Sequence, residues 1–146
     1  MRLGIMTCGG DCPGLNAVIR AVVRHASHRG ATVLGLEDGF RGMTENRTRE
    51  LTLENTIDIL DRGGSILGCS GYNPFHDDET AQLAIDTARG HEIDCLIVVG
   101  GNSSMGIAMA AQERGLPVVG IPKTIDNDVA GTDFTVGFDT AVQTAT

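Results

Sequence analysis

Long apolar runs and basic segments are what this sequence of 146 residues has least of. No uninterrupted apolar run approaches the roughly 18 residues that a membrane-spanning helix needs, and no basic start followed by an apolar segment marks a signal peptide. The chain carries 11 Lys and Arg against 19 Asp and Glu, a net charge of −8, so no basic stripe offsets phosphate repulsion. We therefore expect a soluble, cytoplasmic protein that binds neither nucleic acid nor membranes.

Cysteine and the common nucleotide-binding motifs are also scarce. The four cysteines form no C-x-x-C pair, and without a secretory context we expect reduced thiols. A zinc site built on Cys8 and Cys12 lacks further ligands at a suitable spacing. Neither G-x-G-x-x-G nor G-x-x-x-x-G-K-[ST] occurs, which excludes the usual dinucleotide-binding and P-loop interpretations.

Short apolar segments that alternate with helical patterns make up most of the chain, and many of the 20 glycines lie at their ends. This alternation predicts one α/β domain with a doubly wound, mostly parallel sheet flanked by helices. The predicted strands are 2–7, 32–36, 65–69, 95–99 and 117–121. The predicted helices start near 15, with Gly30 as the stop, near 57–60, at 77 or 78 to about 89, at 103–114 and from 139.

Three Gly-rich or polar loops, 8–16, 100–104 and 122–128, follow predicted strands. Ligands of such sheets bind beyond the carboxyl ends of the strands, so we expect the three loops to converge. Glycines in the first two let the backbone approach a phosphate at the start of the next helix. The alternative is structural: Asp11 caps the first helix, and Ser103 or Ser104 caps the later one.

The third loop carries the reactive side chains. Asp126 and Asp128 lie two residues apart, beside Lys123 and Thr124, directly after an apolar strand. One carboxylate can take a proton from an attacking hydroxyl, and the lysine can neutralise charge on a transferred phosphoryl group. The alternative is a solvated turn of the Asx type, which Asp and Asn favour.

These motifs resemble those of 6-phosphofructokinases in order and spacing. Gly-Gly-Asp-Cys-Pro-Gly-Leu-Asn at 9–16, Gly-Gly-Asn-Ser-Ser at 100–104 and Pro-Lys-Thr-Ile-Asp-Asn-Asp at 122–128 carry the resemblance, and segments 38–42, 62–64 and 131–133 also match. The resemblance covers the whole chain. It implies a kinase of glycolysis that moves a phosphoryl group from ATP, or in some members from pyrophosphate, to the 1-hydroxyl of fructose 6-phosphate, with Mg²⁺.

The resemblance also assigns roles to residues. Asp126 is expected to be the base, Asp128 its electrostatic partner and Thr124 a contact to the sugar and the transferred phosphate, with Lys123 beside them and Ile125 in the substrate site. The expected donor-binding residues are Gly9, Gly10, Tyr72, Gly101, Asn102, Ser103 and Ser104.

Two positions depart from the family's pattern. Asn102 stands where the family usually has an acidic residue that helps to hold magnesium, and Asn is a poorer ligand for a hard cation. Gly71 stands near the position of a donor-binding arginine. Lys123 resembles the pyrophosphate-using branch, whereas the small Ser103 leaves room for a nucleotide, and we favour ATP.

The family's allosteric members bind an anionic effector between subunits through arginines. Arg20 and Arg24 match two of them and share one face of the first helix, whereas Leu53 replaces the third. The alternative is two solvated arginines on an acidic protein. A full-length protein of this kind is expected to be a homo-oligomer, either a dimer or a tetramer.

The family's later segments, which grip the sugar phosphate, do not occur in this sequence. We expect residues 1–146 to form the N-terminal donor-binding domain with the catalytic loop, without the sugar-phosphate domain, and to be inactive by themselves. Three hypotheses stay open: part of an active phosphofructokinase, a degenerate regulatory paralogue without catalysis, and a related α/β kinase for another sugar phosphate or a nucleotide.

Overall fold

The computed structural model describes residues 1–146 as strands that alternate with helices. The strands are β1 (Arg2–Thr7), β2 (Thr32–Leu36), β3 (Thr48–Leu51), β4 (Cys95–Gly100) and β5 (Val118–Pro122). The helices are α1 (Leu15–His28), α2 (Phe40–Thr44), α3 (Asp78–Gly90), α4 (Asn102–Glu113) and α5 (Phe138–Ala145), and Pro74–His76 forms a 3-10 turn. No helix is both long and apolar enough to span a bilayer.

The five strands form one sheet in the order β3-β2-β1-β4-β5, parallel except for the antiparallel edge strand β3. At the centre, Ile5 of β1 lies opposite Ile97 of β4, and Ile97 lies opposite Val119 of β5. The strand order reverses direction between β1 and β4, so the loops that follow these two strands open a crevice at the carboxyl edge. The predicted doubly wound, mostly parallel sheet is confirmed.

Helices cover both faces of the sheet, and each face has its own core. On one face Ile5, Val33 and Val99 pack with the apolar side of α1. On the other, Leu96 and Val98 pack with residues of α2, α3 and α4. Strands covered on both faces read as nearly continuous apolar runs, which is why β1 and β4 are evident in the sequence.

The predicted helix at 57–60 and the predicted strand at 65–69 are wrong. Residues 53–58 form turns. The second segment is no strand of the sheet: the Thr7 hydroxyl of β1 donates to the Gly68 carbonyl at 2.5 Å, and the one ladder-type pairing is an isolated bridge between the following Ser70 and Cys8. Ile57 and Leu60 are exposed whereas Ile59 is buried, so these residues share no helical face. The chain bends instead at Gly68, which has a φ of 70°.

Two short elements have no clear signal in the sequence. Helix α2 has only five residues and follows Gly39, whose φ of 63° favours glycine. Strand β3 consists of the polar sequence Thr-Arg-Glu-Leu and pairs antiparallel with β2 at the edge of the sheet. An edge strand with one solvated face does not need an apolar run.

The helix caps correct two further expectations. Asp77 caps α3 as predicted, since its carboxylate accepts a hydrogen bond from the Thr80 N–H at 2.9 Å. Asp11 does not cap α1; it accepts from the neighbouring Cys12 N–H at 2.8 Å, and Gly14 precedes the helix with a φ of 92°. Neither Ser103 nor Ser104 caps α4, because that helix already begins at Asn102.

Candidate active site

The three loops meet in one open cavity of about 410 Å³ at the carboxyl edge of β1, β4 and β5. Nearly all of its lining is polar or glycine. The lining residues are Gly9, Gly10, Asp11, Cys12, Gly101, Asn102, Ser103, Ser104, Lys123, Thr124, Ile125, Asp126 and Asp128. The convergence expected from the sequence is therefore present in the fold.

The N-terminus of α4 forms one wall of this cavity. The first hydrogen bond of the helix joins the Met105 N–H to the Gly101 carbonyl at 3.0 Å. The amides of residues 102–104 precede that bond and have no partner within the helix, so they carry the positive end of the helix dipole. Helix α1 contributes no residue to the lining; the first loop reaches the cavity through Gly9, Gly10, Asp11 and Cys12, which precede that helix.

Lys123 fastens the first loop to the third. It is the single lysine of the sequence, and its side chain is only 4% exposed. Its ammonium donates to the carbonyls of Cys8, at 3.3 Å, and of Gly10. A cation is thereby fixed at the base of the cavity in a protein whose net charge is −8. The Lys123 ammonium thereby holds the Gly9–Gly10 turn in place through its two carbonyl contacts.

Glycine is required where β4 passes into α4 and where the first loop lies against that turn. A Cβ placed on Gly100 would lie 2.4 Å from the Ser104 Cβ and 2.7 Å from its hydroxyl oxygen. Gly9 has a φ of 78°, and a Cβ there would lie 3.5 Å from the Ser104 hydroxyl oxygen. The glycines at the strand ends thus allow α4 to start directly against the first loop.

The third loop is shaped by Asn127, which has a φ of 52°. Its side-chain oxygen accepts from the Thr135 N–H at 2.9 Å, and its amide donates to the Asp133 carbonyl at 3.2 Å. The Thr135 hydroxyl donates to the Thr124 carbonyl at 2.7 Å. Residues 133–135 therefore hold one side of the loop.

The two carboxylates of the third loop remain exposed and take part in no hydrogen bond or ion pair with the protein. The local turn contacts are made by Asn127 and by the Thr124 hydroxyl, which accepts from the Asp126 N–H at 3.2 Å. A simple Asx turn would occupy the carboxylates, whereas here both Asp126 and Asp128 are free to meet a ligand.

Asn102 links the second loop to the third. Its side-chain amide donates to the backbone carbonyl of Asp128 at 2.9 Å, across 26 residues of sequence. Asp128 therefore lies beside the N-terminus of α4, and its carboxylate shares the cavity with the free amides of that helix. The sequence indicated Asn102 only as a departure from the pattern and did not predict this contact.

Three of the predicted residues lie away from this cavity. Tyr72 lies beneath Arg41, whose guanidinium carbon is 5.5 Å from the ring centroid, and packs against one of the cores. Arg20 and Arg24 line a separate cleft of about 250 Å³ together with Leu53. Arg20 is partly engaged there, because its Nε donates to the Ile57 carbonyl at 3.2 Å.

Asn16 is a structural residue near the site that the sequence analysis missed. It is 1% exposed, its amide donates to the Arg62 carbonyl at 3.0 Å, and its oxygen accepts from the Ile66 N–H at 2.8 Å. These bonds hold segment 62–66 against the first loop. The available signal was a polar residue in the first turn of an otherwise apolar helix face.

The two thiols that flank the first loop are buried and inert. Burial raises the pKa of Cys8 to about 12, and burial also raises the pKa of Cys12. The Cys12 thiol points to the Val136 carbonyl at 3.4 Å. A neutral thiol is neither a good nucleophile nor a metal ligand. Both side chains therefore serve as small packing groups, Cys8 in the core and Cys12 at the edge of the cavity.

Sequence comparison places these loops in a known family. The model of the family described as Phosphofructokinase matches residues 2–146. The chain belongs to the phosphofructokinase family. The similar proteins are named as enzymes. Some of their names specify ATP as the phosphoryl donor, and one specifies pyrophosphate.

Two relatives illustrate this division. The chain is 50% identical over 147 residues to the ATP-dependent 6-phosphofructokinase 2 of Streptomyces coelicolor, covering 100% of this chain and 43% of the relative. It is 46% identical over 143 residues to the pyrophosphate–fructose 6-phosphate 1-phosphotransferase of Dictyoglomus thermophilum, covering 98% of this chain and 41% of the relative. The chain thus spans less than half the length of these phosphofructokinases.

The fold agrees with the sequence match. The phosphofructokinase from Saccharomyces cerevisiae superposes with a TM-score of 0.89 at 30% identity, covering 97% of this chain and 22% of that one. The mostly parallel sheet and its flanking helices are therefore those of phosphofructokinases.

Proposed function

We propose that this chain forms the phosphoryl-donor site and the catalytic loop of a 6-phosphofructokinase that phosphorylates the 1-hydroxyl of fructose 6-phosphate. The observation that carries the proposal is the opposition of two free carboxylates, Asp126 and Asp128, to the N-terminus of α4 within one cavity. One wall of the cavity suits an anionic donor, and the other suits a hydroxyl that must lose a proton. A reaction on small metabolites is consistent with a cytoplasmic protein without membrane partners.

The donor phosphates are expected to bind mainly to backbone N–H groups. Residues 102–104 and the Gly9–Gly10 turn line the cavity, and the Lys123 ammonium lies at its base. The Gly9 N–H already donates to the Ser70 carbonyl at 3.0 Å, so the Gly10 N–H is the donor that this turn can offer to a phosphate. Because the chain has a net charge of −8, anion binding has to rely on such local groups rather than on the overall field. Preorganised donors of this kind stabilise the charge of a transferred phosphoryl group.

Asp126 is the proposed general base. Its carboxylate takes the proton of the sugar hydroxyl as the oxygen forms a bond to phosphorus and the donor's bridging oxygen leaves. Asp128 adds negative charge beside it and orients the hydroxyl, and Thr124, Ile125 and Lys123 complete this wall. The conformation that Asn127 imposes leaves both carboxylates unpaired for this purpose.

Magnesium fits this site as a companion of the phosphates rather than as a resident ion. No three His, Cys, Asp or Glu side chains group as a metal site, so the protein offers no cage of its own. Magnesium commonly uses one or two carboxylates together with substrate phosphates and water. Asp126 and Asp128 are the cavity's carboxylates without a protein partner, since the third, Asp11, accepts from the Cys12 N–H. When bound, the ion neutralises charge on the phosphates.

We favour ATP as the donor. Ser103 is small and exposed at the start of α4, so it leaves the cavity open toward a nucleotide. Lys123, the feature shared with pyrophosphate users, has a separate explanation here because its ammonium holds two carbonyls of the first loop. The named relatives include users of both donors and do not decide between them.

Arg20 and Arg24 are proposed as an anion-binding effector cleft at a subunit contact of the full-length homo-oligomer. Two cations in one cleft support this, whereas Leu53 and the engagement of Arg20 with a carbonyl oppose strong binding.

The test is an assay of the full-length protein that contains this chain, with fructose 6-phosphate, Mg²⁺ and either ATP or pyrophosphate. We expect a product that carries the new phosphate on its 1-hydroxyl, identified by ³¹P NMR, with the higher kcat/KM for ATP. Faster turnover with pyrophosphate would reverse the donor assignment. A folded protein that is inactive with both donors would favour a regulatory paralogue.

A further inference from the structure

We infer that Asn102 is a positioning residue that braces the catalytic loop against α4, and that it does not act as a substitute magnesium ligand. The expected effect of Asn102 on kcat rests on the proposed function. The hydrogen bond itself, from the Asn102 side-chain amide to the Asp128 carbonyl at 2.9 Å, is independent of that function.

Asn102 projects from a rigid base. It is the first residue of α4, and that helix is anchored by Ser104, Ile107, Ala108 and Ala111, which are all buried. The side chain itself is exposed at the cavity, so burial does not explain its orientation. The hydrogen bond to Asp128 does.

The hydrogen bond from Asn102 holds the side of the catalytic loop, residues 124–128, that faces α4. Thr124 and Asn127 are tied to residues 133–136 on one side of the loop. On the other side, the bond from Asn102 is the one hydrogen bond that joins α4 to residues 124–128. Without it, the end of the loop that carries Asp128 has no hydrogen bond to the donor half of the cavity.

The contact also depends on an amide. An aspartate at position 102 has no N–H to donate, and its carboxylate would face the Asp128 carbonyl oxygen. That places two acceptors against each other beside two further carboxylates. Position 102 can therefore either donate a hydrogen bond to the Asp128 carbonyl or supply a carboxylate ligand to magnesium, but not both. Asn102 donates the hydrogen bond.

The catalytic consequence follows from geometry. A general base must lie within hydrogen-bond reach of the proton that it removes, and a misplacement of about 1 Å can lower the rate by about 10²-fold. We expect loss of the brace to lower kcat more than it raises the KM for the donor, because the amides of α4 and the first loop remain in place.

The test compares Asn102→Asp and Asn102→Ala with the wild type. Gln112→Glu serves as a matched control, since Gln112 is exposed near the opposite end of α4 and undergoes the same amide-to-carboxylate change. Two measurements are made: steady-state kinetics of the full-length protein over a range of Mg²⁺ concentrations, and hydrogen–deuterium exchange of residues 124–129 in this chain.

We expect both Asn102 variants to lose about 10- to 100-fold in kcat, with a donor KM within about threefold of the wild type and no decrease in the magnesium requirement. Exchange in residues 124–129 should accelerate in both, while α1 and the control stay unchanged. Higher turnover or a lower magnesium requirement in Asn102→Asp would overturn the inference, as would unchanged exchange. A wild type without activity would contradict the proposed function instead, and the exchange experiment would still decide the brace.

Discussion

The two sides of the cavity, which we propose bind the phosphoryl donor (the donor half) and carry the catalytic side chains (the catalytic half), are built in different ways. The donor half consists of glycines and backbone amides, with α4 starting directly against the first loop. The catalytic half consists of exposed side chains on a loop that Asn127, Thr135 and Asn102 hold in shape. The first half should therefore be sensitive to added atoms, whereas the second should be sensitive to the identity of single functional groups.

The largest effect is expected from the catalytic half. Asp126→Asn keeps the shape of the side chain but removes its basicity, so kcat of the full-length enzyme should fall by about 10²–10⁴-fold with little change in donor KM. Glu113→Gln, the same chemical change at the exposed C-terminal end of α4, should have no effect on kcat. Equal kcat values for the two variants would remove Asp126 from the mechanism.

A glycine pair sharpens the contrast in the donor half. Gly100→Ala would place a Cβ 2.4 Å from the Ser104 Cβ, so we expect a loss of about 1–3 kcal/mol in the free energy of unfolding. Gly106→Ala, in the middle of α4, meets nothing within 4 Å and should gain about 0.5–1 kcal/mol. Urea denaturation measures both, and equal stabilities would contradict the tight turn from β4 into α4 at Gly100.

Lys123 connects the two halves, so its loss should affect both. Lys123→Met leaves the carbonyls of Cys8 and Gly10 without their buried donor, at a cost of about 1–3 kcal/mol in stability. The donor KM should also rise by roughly tenfold or more, because a charge beside the phosphates is removed. A variant with unchanged stability and an unchanged donor KM would contradict both the structural role of Lys123 and its role in donor binding.

The smallest effect concerns the thiols behind the first loop. With a pKa of about 12, Cys8 is almost wholly protonated at pH 8, and its alkylation by iodoacetamide should be negligible in the native protein. Alkylation should rise only as the pH approaches that value, because the thiolate is the reactive form. Peptide mass spectrometry measures the labelling, and rapid labelling of Cys8 at pH 8 would contradict its burial.

The sequence predicted the elements whose signals are local. Strands β1, β2 and β4 are mostly apolar segments, and the loops carry their glycines and carboxylates as contiguous motifs. Segment 57–70 was mispredicted because its path is set by distant partners, among them the buried Asn16 side chain. No local pattern encodes such contacts.

The site shows the same division between local and distant information. Asp126, Asp128 and the start of α4 were predicted together because each follows a strand of a parallel sheet. The bond from Asn102 to Asp128 spans 26 residues, and the composition of either loop gives no sign of it. Tyr72 came from the resemblance alone, and the fold places it outside the cavity, beneath Arg41. Arg20 and Arg24 were expected in a separate effector site, and they line a cleft of their own.

A titration of this chain with Mg²⁺-ATP, followed by ¹H–¹⁵N NMR, tests the phosphoryl-donor site most directly. We expect saturable shifts of the amides of residues 9–12, 101–104 and 123–128, with little change at residues 20–24 and 53–57. The same titration in Gly100→Ala should show weaker binding. Shifts confined to the Arg20–Arg24 cleft, or none at millimolar nucleotide, would contradict the claim that the three loops form one phosphoryl-donor site.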